Sequence, residues 1–199
     1  MELTYNLGSR AQLWSEFNPA LYKLVVTLKS KNKVLDNTAT DFGLRKFSTL
    51  GTQFTINGTK TFLRGKHDAC VFPLTGHPPM DIEGWRRVFR IAKSYNINFY
   101  RFHSWTPPLA AFEAADIEGI YLQPELPFWG GFSKSRNPDL NAFLLKEGDH
   151  ILEAYGNHPS FVMFALGNEL SGDLDVMKEF VTHFKSLDNR HLMAYGSNN

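Results

Sequence analysis

The sequence predicts an α/β fold, a partial (β/α)8 TIM barrel of about five strands and four helices preceded by β strands of a sandwich domain. Three observations lead to this prediction. The first third of the chain alternates apolar and polar side chains with the period of a β-strand. From Leu63 onward, short apolar strands alternate with helical patterns, as in a parallel sheet covered by helices. One of these strands ends in the run Phe164-Ala165-Leu166-Gly167-Asn168-Glu169, where an amide and a carboxylate follow buried positions.

The segment before the barrel predicts antiparallel strands. The alternation over 21–29, a polar turn and a second strand over 34–42 predict a hairpin with one buried face, formed by Tyr22, Leu24, Val26 and Leu28. A further strand is expected over 44–47. Asn57-Gly58 lies between two more short strands, and it predicts a type I′ turn because both residues tolerate positive φ. These strands are too few for a complete sandwich. We therefore expect residues 1–48 to be the C-terminal part of a sandwich domain and residues 49–199 the N-terminal part of a barrel domain.

The barrel region has recognisable helix starts and ends. Asp81 and Asp173 are predicted N-caps, Pro138 suits the first position of a helix, and Gly119 suits the position after one. In the last helix, Leu174, Met177, Val181 and Phe184 are expected to face inward. A complete barrel needs about 250 residues. We therefore expect a fragment of a longer protein, truncated at both ends. Barrel strands are predicted over 63–68, 98–102, 120–124, 161–166 and 192–195.

Composition excludes several classes of protein. A net charge of +1 gives no electrostatic reason to expect a nucleic acid or an acidic membrane as partner. The 43% hydrophobic content is typical of a soluble globular protein. No apolar run is long enough for a transmembrane helix, and no signal peptide is recognisable. The compartment stays open between a bacterial cytoplasm and periplasm. The single Cys70 cannot form an internal disulfide, and we expect it to be buried without a chemical role.

Polar and aromatic side chains follow each predicted barrel strand, and these ends meet at one rim of a barrel. Sugars need such a mixture, because their hydroxyl groups take hydrogen bonds and their apolar ring faces stack on aromatic rings. We therefore predict a carbohydrate substrate. The candidates are His67 and Asp68, then Arg101, His103, Ser104 and Trp105, then Glu125 and Trp129, then Asn168 and Glu169, and last Ser197 and Asn198.

Each candidate also has a structural interpretation. Asp68 suits a helix or turn cap, His103 a hydrogen-bonded structural histidine, and Trp105 and Trp129 ordinary packing. Arg101 suits an ion pair with barrel carboxylates, which is compatible with a ligand contact. The seven histidines form no HExxH pair, and the sequence has neither a G-x-S-x-G motif nor a P-loop. We therefore expect neither a protein-bound metal nor a cofactor.

Four segments in order resemble glycoside hydrolase family 2, the group of β-galactosidases, β-glucuronidases and β-mannosidases. Phe42 to Phe47 resembles the exit from the immunoglobulin-like domain of the family, and Phe54 to Gly65 resembles its entry into the TIM barrel. Asn98 to His103 resembles its second-strand motif, and Gly167-Asn168-Glu169 resembles its fourth-strand acid/base motif. The resemblance implies that residues 1–48 belong to an immunoglobulin-like sandwich.

Three departures from the family pattern fall at the rim. Phe102-His103-Ser104-Trp105 stands where the family commonly has Ser-His-Tyr-Pro. Lys66-His67-Asp68 replaces Asn-Arg-His-Glu, and Gln123-Pro124-Glu125 stands where Asp-Glu is common. These changes concern the identity of the sugar more than the type of reaction, so galactose, glucuronate, galacturonate, mannose and arabinose all stay open.

The resemblance implies that Glu169 is the general acid/base of a retaining β-glycosidase and that Asn168 binds the 2-hydroxyl of the sugar. In the family the nucleophilic carboxylate comes from the seventh strand, and this sequence has no glutamate after Glu179. We therefore expect the whole protein to hydrolyse O-glycosyl bonds and these 199 residues alone to be inactive. An incomplete barrel has an open edge. A homodimer or further segments of the whole protein are expected to cover it.

Other functions stay open at this point. A family 5-like or mannanase-like β-glycanase shares the Asn-Glu strand end, but it needs no preceding β domain. A non-catalytic carbohydrate-binding protein on a degenerate barrel is disfavoured by the intact Asn168-Glu169 pair. A phosphate-binding metabolic barrel requires a glycine-rich loop after its last strands, which this sequence does not contain.

Overall fold

The computed structural model describes residues 4–196, and its helices and barrel strands follow the predicted order. Ser197 and Asn198, which were predicted to follow the fifth barrel strand, lie outside the described residues. None of the four helices described combines the length and the apolar character that a bilayer-spanning helix requires. The strands are β1 (Tyr22–Ser30), β2 (Lys33–Phe42), β3 (Phe47–Leu50), β4 (Gln53–Ile56), β5 (Thr59–Lys60), β6 (Gly65–Asp68), β7 (Phe99–Phe102), β8 (Tyr121–Gln123), β9 (Trp129–Phe132), β10 (Met163–Ala165), β11 (Asn168–Gly172) and β12 (Leu192–Ala194), and the helices are α1 (Ile82–Ser94), α2 (Leu109–Glu118), α3 (Pro138–Tyr155) and α4 (Leu174–Leu187).

Strands β1 and β2 form the predicted antiparallel hairpin, with Tyr22 opposite Phe42. The rings of these two residues stack at 5.6 Å between centroids. The prediction of a buried face is wrong, because Leu24, Val26 and Leu28 are all half exposed or more. The hairpin is a two-stranded sheet of its own, and no further strand of the described residues pairs with it. Its apolar side chains therefore have no second sheet to pack against within residues 4–196.

Strands β3, β4 and β5 form a small antiparallel sheet. Asn57 and Gly58 connect β4 and β5 with φ values of 53° and 83°, as the predicted type I′ turn requires. The strand expected over 44–47 instead begins at Phe47, and Leu44 makes only an isolated bridge. Phe47 and Ile56 lie opposite each other in this sheet and are both buried. The sheet therefore presents an apolar face to the rest of the molecule.

Five parallel strands form an arc of a barrel. Strands β6, β7 and β8 pair in parallel, as do β10 and β12. Two isolated parallel bridges, Leu122 to Phe161 and Glu125 to Ala165, join β8 to β10. The strand order along the arc is therefore β6-β7-β8-β10-β12, and one helix follows each of the first four strands. This is the order of consecutive β/α units in a barrel.

The predicted helix signals are present with one exception. The Asp81 carboxylate accepts a hydrogen bond from the Gly84 N–H at 2.8 Å, and Asp173 caps α4 in the same way. Gly119 ends α2 with a φ of 70°. Leu174 was predicted to face inward, but it is 65% exposed. As the first residue of α4, it lines a groove of about 710 Å³ with Val181, Met193 and Tyr195 at the open side of β12.

Two apolar clusters hold the arc together. The larger cluster lies between the sheet and the helices and includes Trp85, Phe89, Phe102, Phe112, Phe164 and Phe184. The smaller cluster covers the amino ends of the barrel strands, where Phe99, Tyr121 and Val162 meet residues of β3, β4 and the N-terminal segment. Apolar side chains therefore close the amino ends of the strands, between β3, β4 and the N-terminal segment. The smaller cluster consists of Trp14, Phe47, Ile56, Phe99, Tyr121 and Val162.

A polar clamp lies beside the amino-end cluster. The Arg45 guanidinium donates to the carbonyl oxygens of Pro159 at 3.1 Å, Arg190 at 2.5 Å and Phe161. Burial, together with the neighbouring Arg190, lowers the pKa of Arg45 to about 10. The buried imidazole of His191 places Nδ1 2.7 Å from the Phe161 carbonyl oxygen. The clamp therefore joins the segment before β3 to the starts of β10 and β12.

Candidate active site

The carboxyl ends of β7, β8 and β10 meet in one hydrogen-bonded network. The Arg101 guanidinium donates from Nε to Glu125 Oε1 at 2.6 Å and from Nη2 to Asn168 Oδ1 at 2.7 Å. Each of these residues follows or ends a different parallel strand, so the network crosses three strands of the arc. Period-two alternation explains the arrangement, because Tyr100 and Phe102 on either side of Arg101 pack toward the helices.

Glu125 is enclosed within this network. The residue is 0% exposed, and its second oxygen accepts the Ser104 N–H at 2.8 Å. Gln123 Nε2 lies 3.4 Å from the oxygen that Arg101 binds. The buried carboxylate is therefore balanced by one guanidinium and one backbone donor, which is what burial of a charge requires. Its predicted contact with a sugar stays a prediction.

Gly167, Asn168 and Glu169 turn sharply at the end of β10. Gly167 has a φ of 134°, and a Cβ there would collide with the carbonyl oxygen of Phe128. The same carbonyl accepts the Asn168 N–H at 3.1 Å. Glu169 has a φ of 47°, which is uncommon for a residue with a side chain. The turn leaves Asn168 buried and Glu169 exposed, next to each other at the rim.

A second pairing above the arc holds this turn in place. Strands β9 and β11, which follow the third and fourth barrel strands, pair in parallel with Trp129 opposite Asn168. The sequence predicted neither strand. The pairing places an indole beside the Asn168 backbone, and Trp129 is 65% exposed. An exposed polar side chain is expected at a protein surface, whereas a large apolar ring exposed beside a polar site suggests a binding role.

Three aromatic side chains form a row along the rim. The His67 and His103 rings lie 4.8 Å apart, and His103 and Trp129 lie 6.1 Å apart at 83°. His67 pairs with Arg101 in the β6–β7 register, so both side chains leave the sheet on the same side. The row therefore lies on the side of the arc that carries the Arg101 network. Each ring is at least partly exposed.

Asp68 and Trp105 are held in other contacts. The Asp68 carboxylate binds Lys66 Nζ at 2.8 Å and accepts the Cys70 N–H at 3.0 Å. Trp105 donates its indole N–H to the Asp68 carbonyl oxygen at 3.0 Å and packs edge-on against Phe102. Their polar groups thus support the loop after β6. Direct contact of Asp68 or Trp105 with a sugar stays a prediction.

Cys70 differs from its prediction, because it is exposed and not buried. Its φ of 58° belongs to the turn that Asp68 holds. Desolvation, followed by the Asp68 charge, raises the pKa of the thiol. A raised pKa lowers the fraction of thiolate, which is the reactive form. The surroundings of Cys70 therefore disfavour its thiolate form.

The sequence named Ser104 and Gly167 but did not predict the backbone geometry through which they shape the site. Ser104 has a φ of 56°, and its hydroxyl is buried without a partner among the described residues. Gly167 makes the turn before Asn168 possible. Its close approach to another backbone segment could have been predicted, since a glycine directly after an apolar strand often marks such an approach. Nothing in the sequence indicates the unusual backbone of Ser104.

The arrangement combines the groups that glycoside chemistry uses. Glu169 provides an exposed carboxylate, Asn168 an amide, Arg101 a cation and Trp129 an aromatic face. Glycoside hydrolysis needs one carboxyl group to protonate the leaving oxygen and a second on the other side of the bond. Between residues 4 and 196, no three His, Cys, Asp or Glu side chains meet as a possible metal-binding group.

Comparison with protein families gives two adjoining matches. The model of glycosyl hydrolases family 2 matches residues 5–45, and the model of its TIM barrel domain matches residues 48–199. The second match covers more than half of the chain. The predicted fold class, immunoglobulin-like strands followed by part of a TIM barrel, is confirmed by these matches.

Individual relatives agree with the family models. A β-galactosidase from Priestia megaterium is 25% identical over 195 residues, which are 92% of this chain and 19% of that protein. A β-glucuronidase from Paenibacillus borealis is 29% identical over 89% of this chain and 31% of its own length. The β-galacturonidase structure from Eisenbergiella tayi superposes with a TM-score of 0.83 at 22% identity, over 96% of this chain and 34% of that one. The chain thus spans between a fifth and a third of the length of these relatives.

Proposed function

The chain belongs to glycosyl hydrolases family 2, and we propose that the whole protein is a retaining β-glycosidase in which Glu169 is the general acid/base. The observation that carries the proposal is the position of Asn168 and Glu169 at the carboxyl end of the fourth parallel strand, next to the Arg101 network. Barrel enzymes hold their catalytic groups at this end of their strands. The relatives named β-galactosidase and β-glucuronidase support the same class of reaction.

In the proposed reaction, Glu169 first donates its proton to the glycosidic oxygen while the bond to the anomeric carbon breaks. A carboxylate about 5–5.5 Å away attacks that carbon and forms a covalent glycosyl intermediate. Glu169, now ionised, then removes a proton from the water that hydrolyses the intermediate. The exposed position of Glu169 suits both steps, because a leaving group and a water molecule must each reach it.

The nucleophile would come from another part of the whole protein. Glu125 is the carboxylate bound to Arg101, but both of its oxygens already accept hydrogen bonds. Glu169 itself would be the acid/base. We therefore infer that this 199-residue chain, taken alone, does not hydrolyse a glycoside.

The sugar would lie against the row formed by His67, His103 and Trp129, with Arg101 and Asn168 beneath it. Exposed aromatic faces suit the apolar side of a pyranose ring, and imidazole nitrogens can bind its hydroxyl groups. Asn168 would donate its amide to a hydroxyl group, which by family resemblance is the 2-hydroxyl. Asp68 and Trp105 would influence sugar binding indirectly, because they hold the loop after β6 in place. The proposal specifies a β-linked sugar and leaves its identity to a substrate panel.

The decisive experiment compares Glu169→Gln with Glu153→Gln in the whole protein. Loss of the acid/base should lower kcat for an aryl β-glycoside by about 10²- to 10⁴-fold, whereas exposed Glu153 on α3 should be dispensable. The loss should be smaller for a dinitrophenyl glycoside, because that leaving group needs less protonation. Equal activity of wild type and Glu169→Gln would refute the assignment. Binding of sugars without turnover by the wild-type protein would favour a carbohydrate-binding role instead.

The open edge gives a second proposal, that further segments of the whole protein pack against β12 and α4. The groove lined by Leu174, Val181 and Met193 is mainly apolar and lies where the next β/α unit of a barrel would be placed. The 199-residue chain prepared alone should therefore self-associate through this edge and show no turnover. A monomer in analytical ultracentrifugation would contradict the first expectation, and hydrolysis that Glu169→Gln abolishes would contradict the second.

A further inference from the structure

Glu125 carries a carboxylate that solvent does not reach. Arg101 Nε donates to one of its oxygens at 2.6 Å, and the Ser104 N–H donates to the other at 2.8 Å. Glu125 is 0% exposed, and Gln123 Nε2 also lies 3.4 Å from the oxygen that Arg101 binds, so the described residues enclose this carboxylate on all sides. Its rim position, which suggested a sugar contact from the sequence, therefore needs another explanation.

We propose that Glu125 is a positioning residue that acts through Arg101 to determine which end of the Asn168 amide faces the substrate. The inference deepens the proposed function, since it concerns the amide beside the acid/base. It rests on distances within the described residues, and its test does not require turnover.

The guanidinium of Arg101 is a rigid group. Its five N–H donors lie in one plane, so a bond from Nε to Glu125 also fixes the direction of Nη2. Nη2 then lies 2.7 Å from Asn168 Oδ1. The carboxylate that follows β8 therefore controls a donor that reaches Asn168, which follows β10.

The chemistry of the Asn168 amide decides which of its ends faces Arg101. An arginine has donors and no acceptor, so the atom of Asn168 that faces it must be the carbonyl oxygen. The Nδ2 amide group is then directed away from Arg101, and no described residue accepts its hydrogens. A rotation of the amide by half a turn would place N–H against N–H. Asn168 is thus held as a donor, which selects an acceptor oxygen such as that of a sugar hydroxyl group.

Glu125 is itself anchored by contacts of its backbone. Its backbone forms a parallel bridge with Ala165 of β10, and its N–H donates to the Trp105 carbonyl oxygen at 3.2 Å. Thr106 Oγ1 donates to the Glu125 carbonyl oxygen at 3.0 Å. The residue is therefore fixed to β10 and to the segment that follows β7, and its carboxylate gives Arg101 a stationary partner.

The test is side-chain NMR of the ¹⁵N-labelled 199-residue chain. The Arg101 Nε–H and Asn168 Nδ2 signals are assigned by their loss in Arg101→Lys and Asn168→Asp. In Glu125→Gln, we expect the Arg101 Nε–H signal to lose its downfield shift and its protection from exchange. The Asn168 Nδ2 pair should shift and exchange faster with water, because the amide then samples both orientations. Glu169→Gln is the matched control, since it removes an exposed carboxylate of the same rim and should leave both signals in place.

The outcomes separate positioning from support of the fold. If Glu125→Gln lowers the unfolding midpoint in urea but leaves the Asn168 signals unchanged, Glu125 only stabilises the fold and the proposal is overturned. If Glu125→Gln does not fold, Arg101→Lys keeps the positive charge and removes the planar fork. The Asn168 pair must then shift in Arg101→Lys, and unchanged signals would equally overturn the proposal. An inactive whole protein would contradict the glycosidase assignment and leave these results intact.

Discussion

The two ends of the parallel arc differ in chemistry and in backbone geometry. The amino ends of the strands are closed by apolar rings, among them Phe47, Phe99 and Tyr121. The carboxyl ends carry the Arg101 network and the aromatic row. Positive φ at the amino ends falls on Asn57 and Asn96, a residue type that tolerates it, whereas at the carboxyl ends it falls on Ser104 and Glu169. Less favourable backbone at one end and dense packing at the other support the proposal that the first end serves binding and catalysis and the second serves stability.

The comparison also shows that polarity alone does not mark the functional end. Arg45, Asp188 and the buried His191 form a polar clamp at the amino ends. All three nitrogens of the Arg45 guanidinium donate to backbone carbonyl oxygens, so this cation holds chain segments together. The Arg101 network instead ends at an amide with unused donors. The distinction between structural and functional polar clusters therefore lies in which hydrogen-bonding groups remain unpaired.

The largest expected effect is at the amino ends. Phe47→Ala removes a buried ring that lies 5.6 Å from the Phe54 ring and 5.7 Å from that of Tyr121. We expect it to lower the free energy of unfolding by about 3–5 kcal/mol, through lost burial and the cavity left behind. Urea unfolding followed by circular dichroism measures the change. The 76% exposed Phe62 is the matched control, and Phe62→Ala should stay within about 0.5 kcal/mol of wild type.

Similar losses in Phe47→Ala and Phe62→Ala would show that the amino-end cluster is not a packed core. If Phe47→Ala fails to fold, Phe47→Leu retains most of the apolar volume and should fold with a smaller loss. The loss of unfolding free energy in Phe47→Leu would then be compared with that in Phe62→Ala.

An intermediate effect is expected at the turn before Asn168. Gly167→Ala places a methyl group against the Phe128 carbonyl oxygen at a φ that only glycine adopts readily. We expect a loss of about 1–3 kcal/mol in stability. Amide exchange should show that the Asn168 N–H loses its protection, because its acceptor is the same carbonyl. Gly76→Ala is the control for backbone strain alone, since Gly76 also has positive φ but open space around it. A protected Asn168 N–H in Gly167→Ala would contradict the close approach.

The fold could be predicted where the signal was local. Asp81 and Asp173 cap helices because their carboxylates reach backbone N–H groups within the same turn, and Asn57-Gly58 specifies its turn through φ alone. The exposed hairpin face could not be predicted, because burial depends on a partner sheet and not on alternation. Strands β9 and β11 were missed for the same reason, since each becomes a strand only by pairing with the other.

The candidate site was predictable in position but not in detail. The strand ends placed Arg101, Glu125 and Asn168 at one rim, as the rule for parallel strands requires. Their joining into one network depends on side-chain reach across three strands, which spacing does not encode. The different positions of His67, which lies in the exposed row at the rim, and Asp68, which is buried in other contacts, could have been predicted. Neighbouring residues of a strand face opposite sides of the sheet. Sequence alone could not show that Glu125 is completely enclosed.

The smallest expected effect concerns the pH dependence of stability, and we expect it to arise at the amino ends. Burial, and then the nearby Arg45, lowers the pKa of His191 from its ordinary value of 6.5, against the opposing influence of Asp188. The unfolded chain therefore binds more protons than the folded chain as the pH falls below about 6.5. The contribution of His191 to stability is full above this pH and is lost toward its folded pKa, at up to about 1.4 kcal/mol per pH unit.

Urea unfolding at a series of pH values between about 5 and 7.5 tests this origin. Asp188 titrates in a separate window below about pH 4, because hydrogen bonds from His191 and Arg190 outweigh its desolvation and keep its pKa well below the usual range. In His191→Gln, stability should fall less steeply with decreasing pH than in wild type. His150→Gln, which removes an exposed imidazole on α3, should keep the wild-type slope. An unchanged slope in His191→Gln would contradict this origin of the pH dependence.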